Sequence, residues 1–221
     1  MKYAILFLLF AAVASAATPA LPLVEVPATH GTSDTLVVFV SGDGGWAFID
    51  REISKVLAAN GMPTAGLNAL QYFWKKRTPD EASRDLATII NRYLGAWHKS
   101  RVLLVGYSRG ADALPAMVNR LPAETQARVR MIVLIGLSAK VEFEFHVADW
   151  MHNPSAGMPV KPEVDKLGSQ HILCLSGEDD HDSLCRDLTG HPNIEIITLK
   201  GAHHFDGGYG QLGQIIIEHL K

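Results

Sequence analysis

The chain is poor in the features that would mark several large classes of protein. It has no excess of positive charge: 20 lysines and arginines stand against 23 aspartates and glutamates, a formal net charge of −3. Without a basic stripe it has no electrostatic footprint for nucleic acid. Its ten histidines contain no H-E-x-x-H or comparable spacing, so no metal is expected. The glycine-rich stretch "SGDGGW" lacks the G-K-[ST] continuation of a phosphate-cradling loop, and no cofactor is expected either. No apolar run reaches the roughly 20 residues that a membrane-spanning helix requires. Cysteine is scarce too, with Cys174 and Cys185 the only two.

The apolar run that is present lies at the start. "MKYAILFLLFAAVASAA" has a lysine at position 2, an apolar core from about Tyr3 to Val13, and the small-x-small ending Ala14-Ser15-Ala16. That is the pattern of a cleavable signal peptide over residues 1–16, with a single domain over 17–221 and a destination outside the cytoplasm. In an exported protein a lone cysteine pair reads as a disulfide, Cys174 to Cys185. It would close a short loop around "SGEDDHDSL".

Past the leader, apolar runs alternate with helical patterns. "TLVVFVS" (35–41), "PTAGL" (63–67), "RVLLVG" (101–106), "RMIVLIGL" (130–137), "HILCLS" (171–176) and "IEIITL" (194–199) read as strands. Helices are expected from Trp46 to the stop signal at Gly61, from Thr78 to about Trp97, from Ser108 to Arg120, and over the final "GQLGQIIIEHL". The second of these starts with Thr78-Pro79-Asp80-Glu81, a capping box with proline at the first helical position. This order implies an α/β protein: a mostly parallel, doubly wound sheet, helices on both faces, and little or no cap. The loops after the strands' C-terminal ends are where such sheets place ligands.

Three of those loops carry chemistry. Gly106-x-Ser108-x-Gly110 has the spacing of a nucleophile elbow, and it lies between a buried strand and a helix as that motif requires. A serine hydroxyl needs a base, and the base needs an acceptor that fixes its tautomer. The loop after the fifth strand offers Asp179, Asp180 and Asp182, and the last strand is followed by His203 and His204. Three residues after Gly177, Asp180 is the first choice of acid, with Asp179 and Asp182 as rivals. Directly before Phe205, His204 is preferred to His203. An oxyanion hole would take the backbone N–H of Arg109 and one from "SGDGGW", that of Asp43 or Gly44. The aromatics of "QYFWKKR" and "FEFHVADW", with Trp46, could wall a substrate pocket or belong to the core; Trp46 and Trp74 are the candidates for substrate contact.

Taken together, "SGDGGW", "QYFW" with "RTPDEASRDL", "GYSRGADALP", "CLSGEDDHDSLC" and "GAHHFDGGY" resemble the bacterial virulence proteins VirJ and the longer AcvB. The resemblance runs from about residue 35 to the C-terminus. It implies a periplasmic α/β-hydrolase fold, and matches Ser108 to the family's serine, His204 to its histidine and the loop from Gly177 to Cys185 to its acid region. It also implies hydrolysis of aminoacyl-phosphatidylglycerol, mainly the lysyl ester, and a link to type IV secretion and virulence. The expected partners are then a lipid or small acyl-ester substrate and periplasmic secretion-system proteins, with membrane-surface contact compatible but no span. Asp43, or the acidic loop near Asp179, could attract the substrate's ammonium. The competing readings are a general carboxylesterase or acyltransferase, and a non-catalytic periplasmic scaffold or chaperone for secretion.

Overall fold

Six of the nine strands among the described residues arise in the expected apolar or β-branched runs. The structure, a computed structural model, describes residues 20–145 and 157–220. Seven strands form one sheet: β1 (Leu23–Val26), β2 (Thr35–Val40), β3 (Thr64–Leu67), β4 (Arg101–Tyr107), β5 (Val129–Ile135), β8 (Ile172–Gly177) and β9 (Ile194–Leu199). Their spatial order is β1-β3-β2-β4-β5-β8-β9, parallel throughout except that β1 runs antiparallel to β3 at the edge. A separate two-stranded ribbon pairs β6 (Lys140–Val141) with β7 (Met158–Pro159). The helices are α1 (Phe48–Ala59), α2 (Ala69–Tyr72), α3 (Pro79–Ala96), α4 (Arg109–Val118), α5 (Ala123–Gln126), α6 (Lys161–Asp165) and α7 (Tyr209–His219).

Alternation along each strand divides the core into two layers. Leu36, Val38 and Val40 of β2, with Val102 and Leu104 of β4, face α3 and α4, whose Leu86, Ile89, Ile90 and Leu114 cover them. Val37, Phe39, Leu103 and Val105 point the other way, onto Ile49, Ile53 and Leu57 of α1 and Leu212 and Ile216 of α7. Every residue of β2 is buried, because parallel strands roofed by helices on both sides have no solvent face. The capping box expected for α3 is present: Glu81 N donates to Thr78 Oγ1 (3.2 Å), and Thr78 N donates to Glu81 Oε2 (2.8 Å).

Three short strands escape the periodicity rules. β1 carries a glutamate in four residues and is held by pairing and by Tyr93, whose hydroxyl donates to Glu25 at 2.5 Å. The β6–β7 ribbon is two residues wide on each side, too short to leave a pattern. The expected signal peptide (1–16) and the end of "FEFHVADW" (146–150) lie outside the described residues. Among the described residues no helix is long and apolar enough to cross a membrane.

Candidate active site

The candidate site is made by what the chain does at the ends of β2, β4, β8 and β9. At the end of β4, Ser108 takes φ 53° and ψ −122°, a left-handed conformation that a non-glycine residue adopts only when its surroundings force it. The force comes from both flanks. A Cβ on Gly110 would lie 2.0 Å from the Val40 carbonyl oxygen, and one on Gly106 would lie 2.6 Å from the backbone of Gly110 and Ala111. Ser108 N donates to the Ile135 carbonyl (2.9 Å), which ties the elbow to β5. The side chain stays partly exposed above the sheet. Arg109 is the first residue of α4, so its N–H is among those that helix geometry leaves unpaired, and the positive end of the helix dipole lies there.

The glycine loop after β2 approaches Ser108 closely. A Cβ on Gly42 would meet Ser108 Cβ at 3.2 Å and the Tyr107 ring at 3.1 Å, and Gly45 N closes the turn onto Gly42 O (3.1 Å). The N–H groups of Asp43 and Gly44 follow directly. The Asp43 carboxylate is committed elsewhere: it pairs with the Arg109 guanidinium, Nη2 to Oδ2 at 3.3 Å with a closer contact from Nε. The same guanidinium donates through Nη1 to the carbonyls of Glu142 (2.6 Å) and Glu144 (3.1 Å). Arg109 therefore pins the glycine loop and the 142–145 segment to the elbow. With its charge neutralised there, Asp43 is not a free anchor for a substrate ammonium.

The acid and histidine loops are stitched together behind this. Glu178 N donates to Leu199 O (2.7 Å) and Asp179 N to Gly201 O (3.0 Å). Of the three candidate aspartates, Asp180 is the one whose carboxylate meets a histidine; Asp179 and Asp182 are exposed. The histidine it meets is not the one that residue counting prefers. His203 Nδ1 lies 3.1 Å from Asp180 Oδ2, whereas His204 is exposed and its Nδ1 lies 2.8 Å from the Tyr107 hydroxyl. The His203 ring covers Gly136, where a Cβ would lie 2.8 Å from Cε1, and Gly136 follows the residue whose carbonyl holds Ser108 N. The physical reason is the turn after β9. Gly201 (φ 91°), Phe205 (φ 48°) and Asp206 (φ 47°) tighten it, and burial of Phe205 in the core turns its neighbour His204 outward.

The disulfide forms between Cys174 of β8 and Cys185 of the following 3-10 helix, Cα atoms 5.8 Å apart, and encloses the Asp180 loop. Closing a loop of 11 residues stabilises by about 2–3 kcal/mol in the chain-entropy account. The Cys174→Ser/Cys185→Ser pair is expected to lower Tm by about 5–10 °C, with a larger loss in kcat than in KM because the acid is loosened. Unchanged kcat in a folded double variant would show that the bond holds the fold and not the acid.

Three further residues bear on the site. Trp46, expected as a substrate contact, packs instead on the sheet: its ring meets Phe39 edge-on at 5.6 Å and fills the space beside Gly66. Trp74 is 60% exposed and stacks on Phe145 at 5.7 Å. Sequence reasoning did not single out Asp112, a buried acid on α4. Burial pushes its pKa up to about 8, against the opposing effect of hydrogen bonding to Ser138, whose N–H donates to Oδ1 at 2.7 Å. Because the folded pKa lies above the ordinary 3.8, this group's stabilisation is complete below about pH 4 and is lost as pH rises towards 8. Asp112→Asn is expected to gain Tm relative to the native chain across that interval, in melts recorded from pH 4 to 9. A constant Tm difference would contradict this.

The model of the bacterial virulence protein (VirJ) family matches residues 34–221. The chain belongs to the VirJ family. No curated protein matches it in sequence. Among solved structures it is similar to Est1E from Butyrivibrio proteoclasticus with ferulic acid bound (9% identity, TM-score 0.62, 90% of this chain and 93% of that one). A putative dienelactone hydrolase from Klebsiella pneumoniae is similar at 14% identity and TM-score 0.62, covering 90% and 92%. MenH from S. aureus is similar at 13% identity and TM-score 0.59, covering 89% and 96%. At these identities the likeness establishes the fold, and this VirJ-family chain has the α/β-hydrolase fold.

Proposed function

We propose that the chain is a periplasmic serine esterase whose nucleophile is Ser108, base His203 and orienting acid Asp180. The observation that carries this is the strained Ser108 elbow beside an Asp180–His203 hydrogen bond on neighbouring loops of one sheet edge. With Nδ1 held by Asp180, His203 Nε2 is left to take the Ser108 proton as Oγ attacks an ester carbonyl. The tetrahedral oxyanion is met by the N–H of Arg109 and of Asp43 or Gly44. Collapse expels the alcohol, protonated by His203, and water then releases the acyl group by the same steps in reverse.

The substrate we assign is an aminoacyl ester of phosphatidylglycerol, the lysyl ester first, with a role in virulence through type IV secretion. Support comes from the family membership and from the exposed Asp179 and Asp182, which put negative charge at the edge where a cationic aminoacyl group would arrive. The disulfide fits an oxidising compartment. The test is a fluorophosphonate probe on the native protein and on Ser108→Ala, followed by purified lysyl-phosphatidylglycerol and an uncharged acyl ester of the same lipid. Labelling confined to Ser108 and preferential release of lysine are expected. Labelling that survives Ser108→Ala removes the serine mechanism, and equal turnover of both lipids removes the aminoacyl preference.

A further inference from the structure

Beside α2 and the start of β1, at the same edge of the sheet, lies a cavity of about 680 Å³ whose lining includes none of Ser108, Asp180 and His203. That is the size of a small-molecule site. Its walls are mainly apolar, from Leu21, Leu70, Tyr72 and Trp74, and Lys75 and Arg77 lie at the same wall. The one carboxylate in the lining, Asp85, already accepts from the Tyr72 hydroxyl at 2.6 Å. Arg77 is differently placed. Its guanidinium lies 4.8 Å over the Tyr72 ring, its Nε is buried without a hydrogen-bond partner, and no carboxylate among the described residues forms an ion pair with it. A buried guanidinium nitrogen with unused donor capacity is costly unless an acceptor reaches it. Trp74 shows 60% of its surface to solvent although its ring could cover an apolar ligand.

We infer that this cavity binds an anionic amphiphile, an aliphatic chain carrying one carboxylate or phosphate. The chain lies along Leu21, Leu70, Tyr72 and Trp74, and the acidic group meets Arg77 and Lys75. An apolar ligand without charge would leave Arg77 unmatched, and a cation would be repelled by two positive side chains. The site goes beyond the esterase reading and does not depend on it, since no residue of the proposed catalytic trio lines it.

The experiment titrates the protein with dodecyl phosphate, dodecanoate, lysophosphatidylglycerol, dodecylamine and inorganic phosphate below their micelle-forming concentrations. Calorimetry and tryptophan fluorescence report binding, with Ser108→Ala as the background so that no turnover intervenes. Saturable one-to-one binding is expected for at least one anionic amphiphile, at least tenfold tighter than for dodecylamine or inorganic phosphate. Selective binding of dodecanoate would mark a free fatty acid as the source; that of lysophosphatidylglycerol would mark a phospholipid headgroup. Arg77→Met should weaken it about tenfold and Arg77→Lys less. Leu70→Trp, which fills the cavity without removing charge, covers the case in which Arg77→Met fails to fold. Absence of saturable binding, equal affinity for the amine, or affinity unmoved by the folded cavity variants overturns the inference. Failure here leaves Ser108 labelling untouched, so the two readings fall separately.

Discussion

His203→Gln should lower kcat/KM on an activated aryl ester by about 10³–10⁴-fold, while His204→Gln changes it by no more than a few-fold. The first figure is the usual worth of a positioned acid–base group acting with an orienting carboxylate. The geometry separates two adjacent, chemically identical side chains. His203 has Asp180 at 3.1 Å on Nδ1, which leaves Nε2 for the serine; His204 is exposed, and its Nδ1 is occupied by the Tyr107 hydroxyl at 2.8 Å. Glutamine in place of His203 can keep a hydrogen bond to Asp180 but cannot shuttle a proton. Asp180→Asn should follow His203→Gln, because an amide stabilises neither the imidazolium nor the productive tautomer, whereas Asp179→Asn and Asp182→Asn should not. Melting curves of all the variants exclude unfolding as the cause. A loss of the same size in His204→Gln with His203→Gln active would reverse the assignment and return the base to the position expected from residue counting.

That choice between neighbours shows where the sequence is informative. The central strands were legible because "TLVVFV" and "RVLLVGY" are apolar on both faces, which only a roofed parallel sheet accepts. The elbow was legible because its two glycines answer a steric demand: their missing side chains would occupy the backbone of β2 and α4. The choice between His203 and His204 was not legible, since it depends on left-handed conformations at Phe205 and Asp206 that neither residue type announces. A buried phenylalanine directly after two histidines was the available clue. The packing of Trp46 was not legible for a similar reason. Its ring fits where Gly66 has no side chain, and that pairing joins residues 20 apart on β3 and the glycine loop. Composition and periodicity report on one element at a time, whereas such contacts belong to two.

Gly110→Ala is expected to be the most damaging one-methyl change in the chain. The added Cβ would sit 2.0 Å from Val40 O, 2.6 Å from Val40 C and 2.7 Å from Ser41 O. All three are backbone atoms, of β2 and of the start of the glycine loop, so no side-chain rotation relieves the clash. Either α4 lifts from the sheet or β2 moves, and Leu36, Val38 and Val40 lose packing against the helix. Overpacking of this kind costs about 1–3 kcal/mol and more where the neighbour cannot yield, so Tm should fall by about 5–10 °C. Activity should fall further than stability. The lifted helix carries the Arg109 N–H, and the loop that moves with Ser41 carries those of Asp43 and Gly44, so a displacement near 1 Å is worth about 10²-fold in rate. Gly210→Ala is the control, because a Cβ there, at the start of α7, meets nothing within 4 Å. Thermal melts and fluorophosphonate labelling rates on the two variants measure both effects. If Gly110→Ala matched Gly210→Ala in both, close seating of α4 on β2 could not be what holds Ser108 in its strained turn.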